Sequence, residues 1–148
     1  MRARRDDRGE SLLELLIAVT IMGIAVTAIV GGIGVSVLMS DVHRKQATAG
    51  AAVRDYGEAI ENTVMAGGYV ACATMASYAS PAGYAPPSGY SPSVVSLNYW
   101  TGSAWTASCS PDTGLQQLKV QVASSDGRAS EQLVLVVRKR CGLSEPTC

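Results

Sequence analysis

A single carboxylate, Glu14, interrupts an apolar run that extends from Leu12 to Met39. It lies five residues past Gly9, which closes a charged leader containing Arg2, Arg4, Arg5 and Arg8. A carboxylate at the hydrocarbon centre of a helix costs about 2.5–3.5 kcal/mol on insertion scales, so such a group usually has a partner and a task. No other charge in the run can pair with Glu14. The partner must come from another chain or from a newly made N-terminus. The chemistry this pattern permits is charge pairing, carboxylate against ammonium. Catalysis has little to work with. One histidine, His43, excludes most Ser/His/Asp and Cys/His schemes. Gly31-Gly32-Ile33-Gly34 lies inside the apolar run and is no phosphate loop. Asp112 and Asp126 have no sequence context linking them. The expectation is a non-enzyme with no cofactor, no metal and no small-molecule substrate.

The element that must position Glu14 is the apolar run itself. Leu15 to Met39 carries no charge. About 25 residues make a helix of roughly 37 Å, enough to cross a bilayer with some tilt. The basic leader places the N-terminus in the cytoplasm and the C-terminal part outside. A secretory signal peptide would need an apolar stretch of only about 7–15 residues. A plain single-pass anchor fits the length and the orientation but leaves Glu14 unexplained.

The segment Arg8-Gly9-Glu10-Ser11-Leu12-Leu13-Glu14-Leu15-Leu16-Ile17-Ala18-Val19 resembles the prepilin signature of the type IV pilin and pseudopilin superfamily. The resemblance implies a membrane peptidase that cuts after Gly9 and methylates the new N-terminus, here Glu10. The family most often has Phe or Met at that first mature position, so Glu10 departs from it. The family's glutamate at the fifth mature position falls on Glu14. Leu12, Leu13, Leu15, Leu16 and Ile17 then belong to the assembly surface.

Physical chemistry agrees with this reading. Cleavage frees an α-amino group with a reference pKa of about 7.7–8.0, largely cationic at neutral pH. The ammonium of an incoming subunit can pair with Glu14 of a neighbour. Desolvation cancels much of that attraction, but an unpaired buried charge is costly, so mis-staggered helices are rejected. Glu10 and Glu14 are four residues apart on one helix face and repel slightly, which favours a cation from outside. Gly31, Gly32 and Gly34 permit either close helix packing or local loosening of the helix inside a filament.

Beyond Ser40 the pattern changes. Val42, Ala49, Val53, Tyr56, Ile60 and Val64 recur at helical spacing, with charges on the other faces. One helix is expected from about Glu10 to about Met65, stopped by Gly67-Gly68. Tyr78, Tyr84 and Tyr90 head a six-residue quasi-repeat rich in Pro, Ser and Gly, which reads as an extended loop. Its tyrosines either pin the loop over the sheet, the favoured reading, or present a contact surface. Strands are expected at Val94–Trp100 and Ala104–Ala107 around Thr101-Gly102-Ser103, at Leu118–Val122, and at Gln132–Val137, the last denser in apolar residues and taken as central.

Four cysteines all follow the apolar run, without zinc-ligand spacing. They point to an oxidising compartment; four cysteines allow three pairings, of which Cys72–Cys109 with Cys141–Cys148 is the favoured one. The expected fold is α+β and pilin-like: a long N-terminal helix, transmembrane in its upper half and amphipathic in its lower half, on an antiparallel sheet of about four strands. The expected segments are a leader at 1–9, a transmembrane and filament-core helix at 10–39, an amphipathic continuation at 40–66, a Tyr/Pro/Gly-rich loop at 67–93, and a sheet with a cystine loop at 94–148.

The expected function is a structural subunit of a type IV pilus or of a type II secretion-like filament, either a minor pilin or a pseudopilin. Its partners would be the prepilin peptidase, other pilin subunits and the membrane, and its final place the cell surface. Two alternatives stand beside it. One is a membrane-anchored extracellular binding module that never polymerises. The other is a DNA-uptake pilin using Arg128, Arg138, Lys139 and Arg140 on phosphates, although basic residues at an edge strand more often serve solubility.

Overall fold

The computed structural model describes residues 10–109 and 111–141. The chain divides into two compact units, Met1–Asp41 and Val42–Cys148. Helix α1, Glu10–Thr63, begins in the first and ends in the second.

In the first unit every side chain described from Leu12 onward, up to Ser40, is exposed. This stretch is long and apolar enough to cross a membrane. Its two threonines leave no hydroxyl unsatisfied. Thr20 Oγ1 donates to the Leu16 carbonyl at 2.7 Å, and Thr27 Oγ1 to the Gly23 carbonyl at 3.0 Å. Such back-bonding is what a hydroxyl needs where no water is available.

In the second unit α1 buries a stripe of Ala49, Ala52, Val53, Tyr56 and Ile60, which Val64 of the turn after it continues. The stripe recurs every three or four residues because side chains at that spacing share one helix face. It packs with Leu97, Tyr99, Leu118, Val120, Val122, Leu135 and Val137 of the sheet in one core. Fully burying a side chain of this size contributes about 1.5–3 kcal/mol. The helix comes close to β4 at Gly57, where an added Cβ would stand 2.8 Å from Leu133 Cδ2. After Thr63 the helix widens into a π-helical turn, Val64–Gly68, and ends at Gly67 with φ +99°. That conformation is open to glycine and strained for other residues.

The sheet holds β1 (Tyr90–Trp100), β2 (Trp105–Thr106), β3 (Leu115–Ser124) and β4 (Ser130–Arg138), all antiparallel in the order β2-β1-β3-β4. Inward residues alternate with outward ones along β3, where Gln116, Leu118, Val120, Val122 and Ser124 are buried. The α+β architecture expected from the sequence is present.

Three details differ from that expectation. The strand Gln132–Val137 is not central: β4 is an edge strand, and β1 and β3 lie inside. Its apolar density misled because Val134 and Val136 point outward, 53% and 48% exposed, while Leu135 and Val137 point into the core. The loop proposed for 67–93 is shorter, since a 3-10 helix occupies Met75–Tyr78 and β1 begins at Tyr90. Thr74 and Ser77 start that small helix with a reciprocal capping box. Pro92 is admitted to β1 because β2 pairs only with Tyr99 and Trp100, leaving the rest of that edge open. The register of β1 also shifts between Val94 and Ser96, a bulge at Val95.

Candidate assembly helix and the sheet domain

The residues expected to act in assembly fall on consecutive turns of α1. Leu12, Leu13, Leu15, Leu16 and Ile17 are between 48% and 71% exposed, and Glu14 is exposed among them. A large apolar surface without cover marks a membrane or protein contact. No charged side chain lies between Glu14 and Asp41 in this helix. Gly9 lies outside the described residues, as does the expected leader at 1–9; Glu10 opens the helix backbone, and its side chain is also outside them. Gly31, Gly32 and Gly34 sit in unbroken helix, with open space where a Cβ would stand.

The second unit is tied by polar contacts that the sequence did not announce. Asp112 accepts hydrogen bonds from Tyr69 Oη at 2.7 Å, the Cys72 N–H at 2.9 Å, Gln116 Nε2 at 2.7 Å and the Gly114 N–H at 2.8 Å. Burial alone would raise this carboxyl, but those donors together hold it below the usual carboxylate range. Gln116, fully buried, also donates to the Val70 carbonyl at 2.8 Å and accepts from Tyr78 Oη at 3.0 Å. Tyr99 Oη donates to the Ala73 carbonyl. The segment after the helix is thus held to β1 and β3 by side chains from both.

A cystine, Cys72–Cys109, fastens the same segment, with its Cα atoms 5.5 Å apart. Asp112 lies beside the two sulfurs. The sulfurs are bonded to each other and the carboxylate has four donors, so the group offers no thiolate for an ion. Cys141 is disulfide-bonded too, while Cys148 lies outside the described residues.

The tyrosines of the quasi-repeat turn inward. Tyr56 of α1 donates to the Tyr78 and Ala79 carbonyls, both at 3.1 Å. The Tyr84 ring packs on Tyr56 with centroids 5.0 Å apart. Tyr90 Oη donates to the Lys45 carbonyl at 3.3 Å. Tyr84 and Tyr90 therefore pin the loop along α1, and Tyr78 pins it to Gln116 of β3.

The four cations considered for phosphate contact are not brought together. Arg128 precedes β4 and lies beside Asp126 at 3.9 Å. Arg138, Lys139 and Arg140 follow at the strand's other end, where Arg140 Nη1 donates to the Met65 carbonyl at 3.1 Å. His43 is exposed.

Residues 4–30 match the family model described as the prokaryotic N-terminal methylation motif. No curated protein and no solved structure matches the chain. The matched residues include Gly9, Glu10 and Glu14 and the first turns of the exposed apolar helix. This N-terminal segment carries the type IV prepilin signature.

Proposed function

We propose that the chain is a subunit of a type IV pilus or of a type II secretion-like filament, acting as a minor pilin or pseudopilin. The observation that carries this reading is one exposed apolar helix whose motif spans the cleavage point and whose first turns hold a lone carboxylate. The precursor waits in the membrane with its N-terminus in the cytoplasm. A prepilin peptidase cuts after Gly9 and methylates Glu10. The new ammonium of an incoming copy pairs with Glu14 of a neighbour, and Leu12, Leu13, Leu15, Leu16 and Ile17 pack between helices. Gly31, Gly32 and Gly34 let the helix loosen or pack closely as it leaves lipid. The finished filament stands at the cell surface.

The mature chain should begin at Glu10 by mass spectrometry. Glu14→Ala should lower the filament yield about tenfold or more, the factor that a 1.4 kcal/mol difference makes. A protein that keeps residues 1–9, or that polymerises normally with Ala at position 14, is a non-polymerising anchor or uses another contact, and the reading fails.

A further inference from the structure

The second unit carries two faces of opposite charge. The outer face of the sheet follows from the strand register. Trp105 stands across from Trp100, Leu115 from Arg138, Gln117 from Val136, and Lys119 from Val134. The two indole rings lie 5.2 Å apart, with Trp105 exposed. Among the described residues the strands set two cations, Lys119 and Arg138, and no carboxylate on this face. It also leaves Val134 and Val136 in the open. Tryptophan and arginine are enriched at protein contact surfaces, and the open valines add apolar area to the same face.

The side of α1 turned away from the sheet is the opposite. Asp55 and Glu58 line a cleft of about 400 Å³ with Asn62 and the loop residues Ala82–Ala85. The Tyr84 hydroxyl at this cleft is buried and has no hydrogen-bond partner. Among the described residues no salt bridge engages Asp55, Glu58, Lys119 or Arg138. Arg54 is the one cation exposed on this stretch of helix, and it does not line the cleft.

We propose that the acidic helix cleft of one copy receives the basic, tryptophan-bearing sheet face of the next copy. The occupant is a second copy because the two surfaces complement each other in charge and sit on one chain. Each carries charge that no salt bridge among the described residues neutralises. A contact between two different faces is heterologous, so it does not close on a dimer but repeats from copy to copy. That is the growth rule a filament needs, and the inference rests on the filament reading proposed above. The contact adds to helix packing a second, salt-sensitive fastening between domains.

The test uses the full-length chain expressed in its own assembly system. Lys119→Glu with Arg138→Glu should cut the assembled fraction about tenfold, and Asp55→Lys with Glu58→Lys should do the same. Placing all four changes in one chain restores the opposite charges with reversed sign, and assembly should return to within about threefold of wild type. Cysteines introduced as Asn62→Cys and Gln117→Cys should cross-link successive copies into ladders. If neither pair of reversals lowers assembly while Glu14→Ala still abolishes it, this contact is overturned and the filament reading stands. If the reversals lower assembly but the four-fold variant gives no recovery and no ladder forms, the faces meet something other than each other and the proposal is overturned. If wild type forms no filament at all, the reading beneath it fails as well.

Discussion

The Lys45 ammonium stands 2.6 Å from the Asp126 carboxylate, and this bond ties α1 to the turn between β3 and β4. Both side chains are partly exposed, so the pair is open to screening by salt. The Lys45 hydrogen bond is the main reason that Asp126 is held well below the usual carboxylate range, with Ser124 Oγ and the Arg128 N–H adding to it. A carboxyl depressed on folding adds stability above its unfolded pKa of about 3.9 and loses it as the pH falls toward the folded value. Wild type should therefore melt higher than Asp126→Asn above about pH 4, with the gap closing on acidification. Thermal unfolding of the two chains in detergent, from pH 7 to pH 2, measures it. Equal melting at every pH would remove the pair from the account.

The phenols of Tyr56, Tyr69, Tyr78, Tyr84 and Tyr99 are all pushed up, in each case first by burial. Asp112 raises Tyr69 further, through its hydrogen bond and its charge. A phenol with a raised folded pKa stabilises fully below its unfolded value of about 10 and loses that contribution as the pH climbs past it. Absorbance at 295 nm should show these tyrosines ionising together with loss of the fold, above pH 10. Titration of all of them near pH 10 with an intact circular dichroism spectrum would contradict the burial described here.

Asp112→Ala leaves the Tyr69 hydroxyl without its acceptor, leaves the Gln116 amide with the Val70 carbonyl alone, and frees the Cys72 and Gly114 N–H groups. The expected loss is about 3 kcal/mol, the cost of stranding buried polar groups. Denaturant midpoints at pH 7 check it. A loss below about 0.5 kcal/mol, the level of an ordinary surface change, would show that water replaces the carboxylate.

Replacing Cys72 and Cys109 together by serine opens a loop spanning 37 positions. Chain-entropy reasoning sets the loss at about 4 kcal/mol or less. The segment should nevertheless stay in place, because Tyr69, Val70 and Ala73 keep their bonds to Asp112, Gln116 and Tyr99. Guanidinium unfolding followed by circular dichroism gives the loss. Unfolding of the double variant without denaturant would mean that the cystine, not the polar network, holds this corner.

Much of this was legible because it rests on period. The buried stripe from Ala49 to Val64 and the alternation at Leu118, Val120 and Val122 are visible as repeats of 3.6 and 2. Glu14 stood out because one charge among apolar residues is a local signal. Asp112 and Gln116 did not, since their partners Tyr69, Val70 and Cys72 lie some 40 residues upstream and no spacing rule links them. The edge position of β4 was hidden for another reason. Its outward valines look like core in sequence, and only strand order tells the two faces apart. The hairpin around Thr101-Gly102-Ser103 was legible, but the pairing of Trp100 with Trp105 and their common face with Lys119 and Arg138 required the register.

Copies of this chain would share one membrane at high local density, where sheets can fuse by adding strand to strand. Growth of that kind must consume a free border on each side of every molecule. On one border Pro92 offers no amide hydrogen, and the extra residue at Val95 throws any incoming partner out of step. A mistaken union through β4 could therefore join two molecules but could not run on through a third. Polymer built by side-chain docking remains something the cell can take apart.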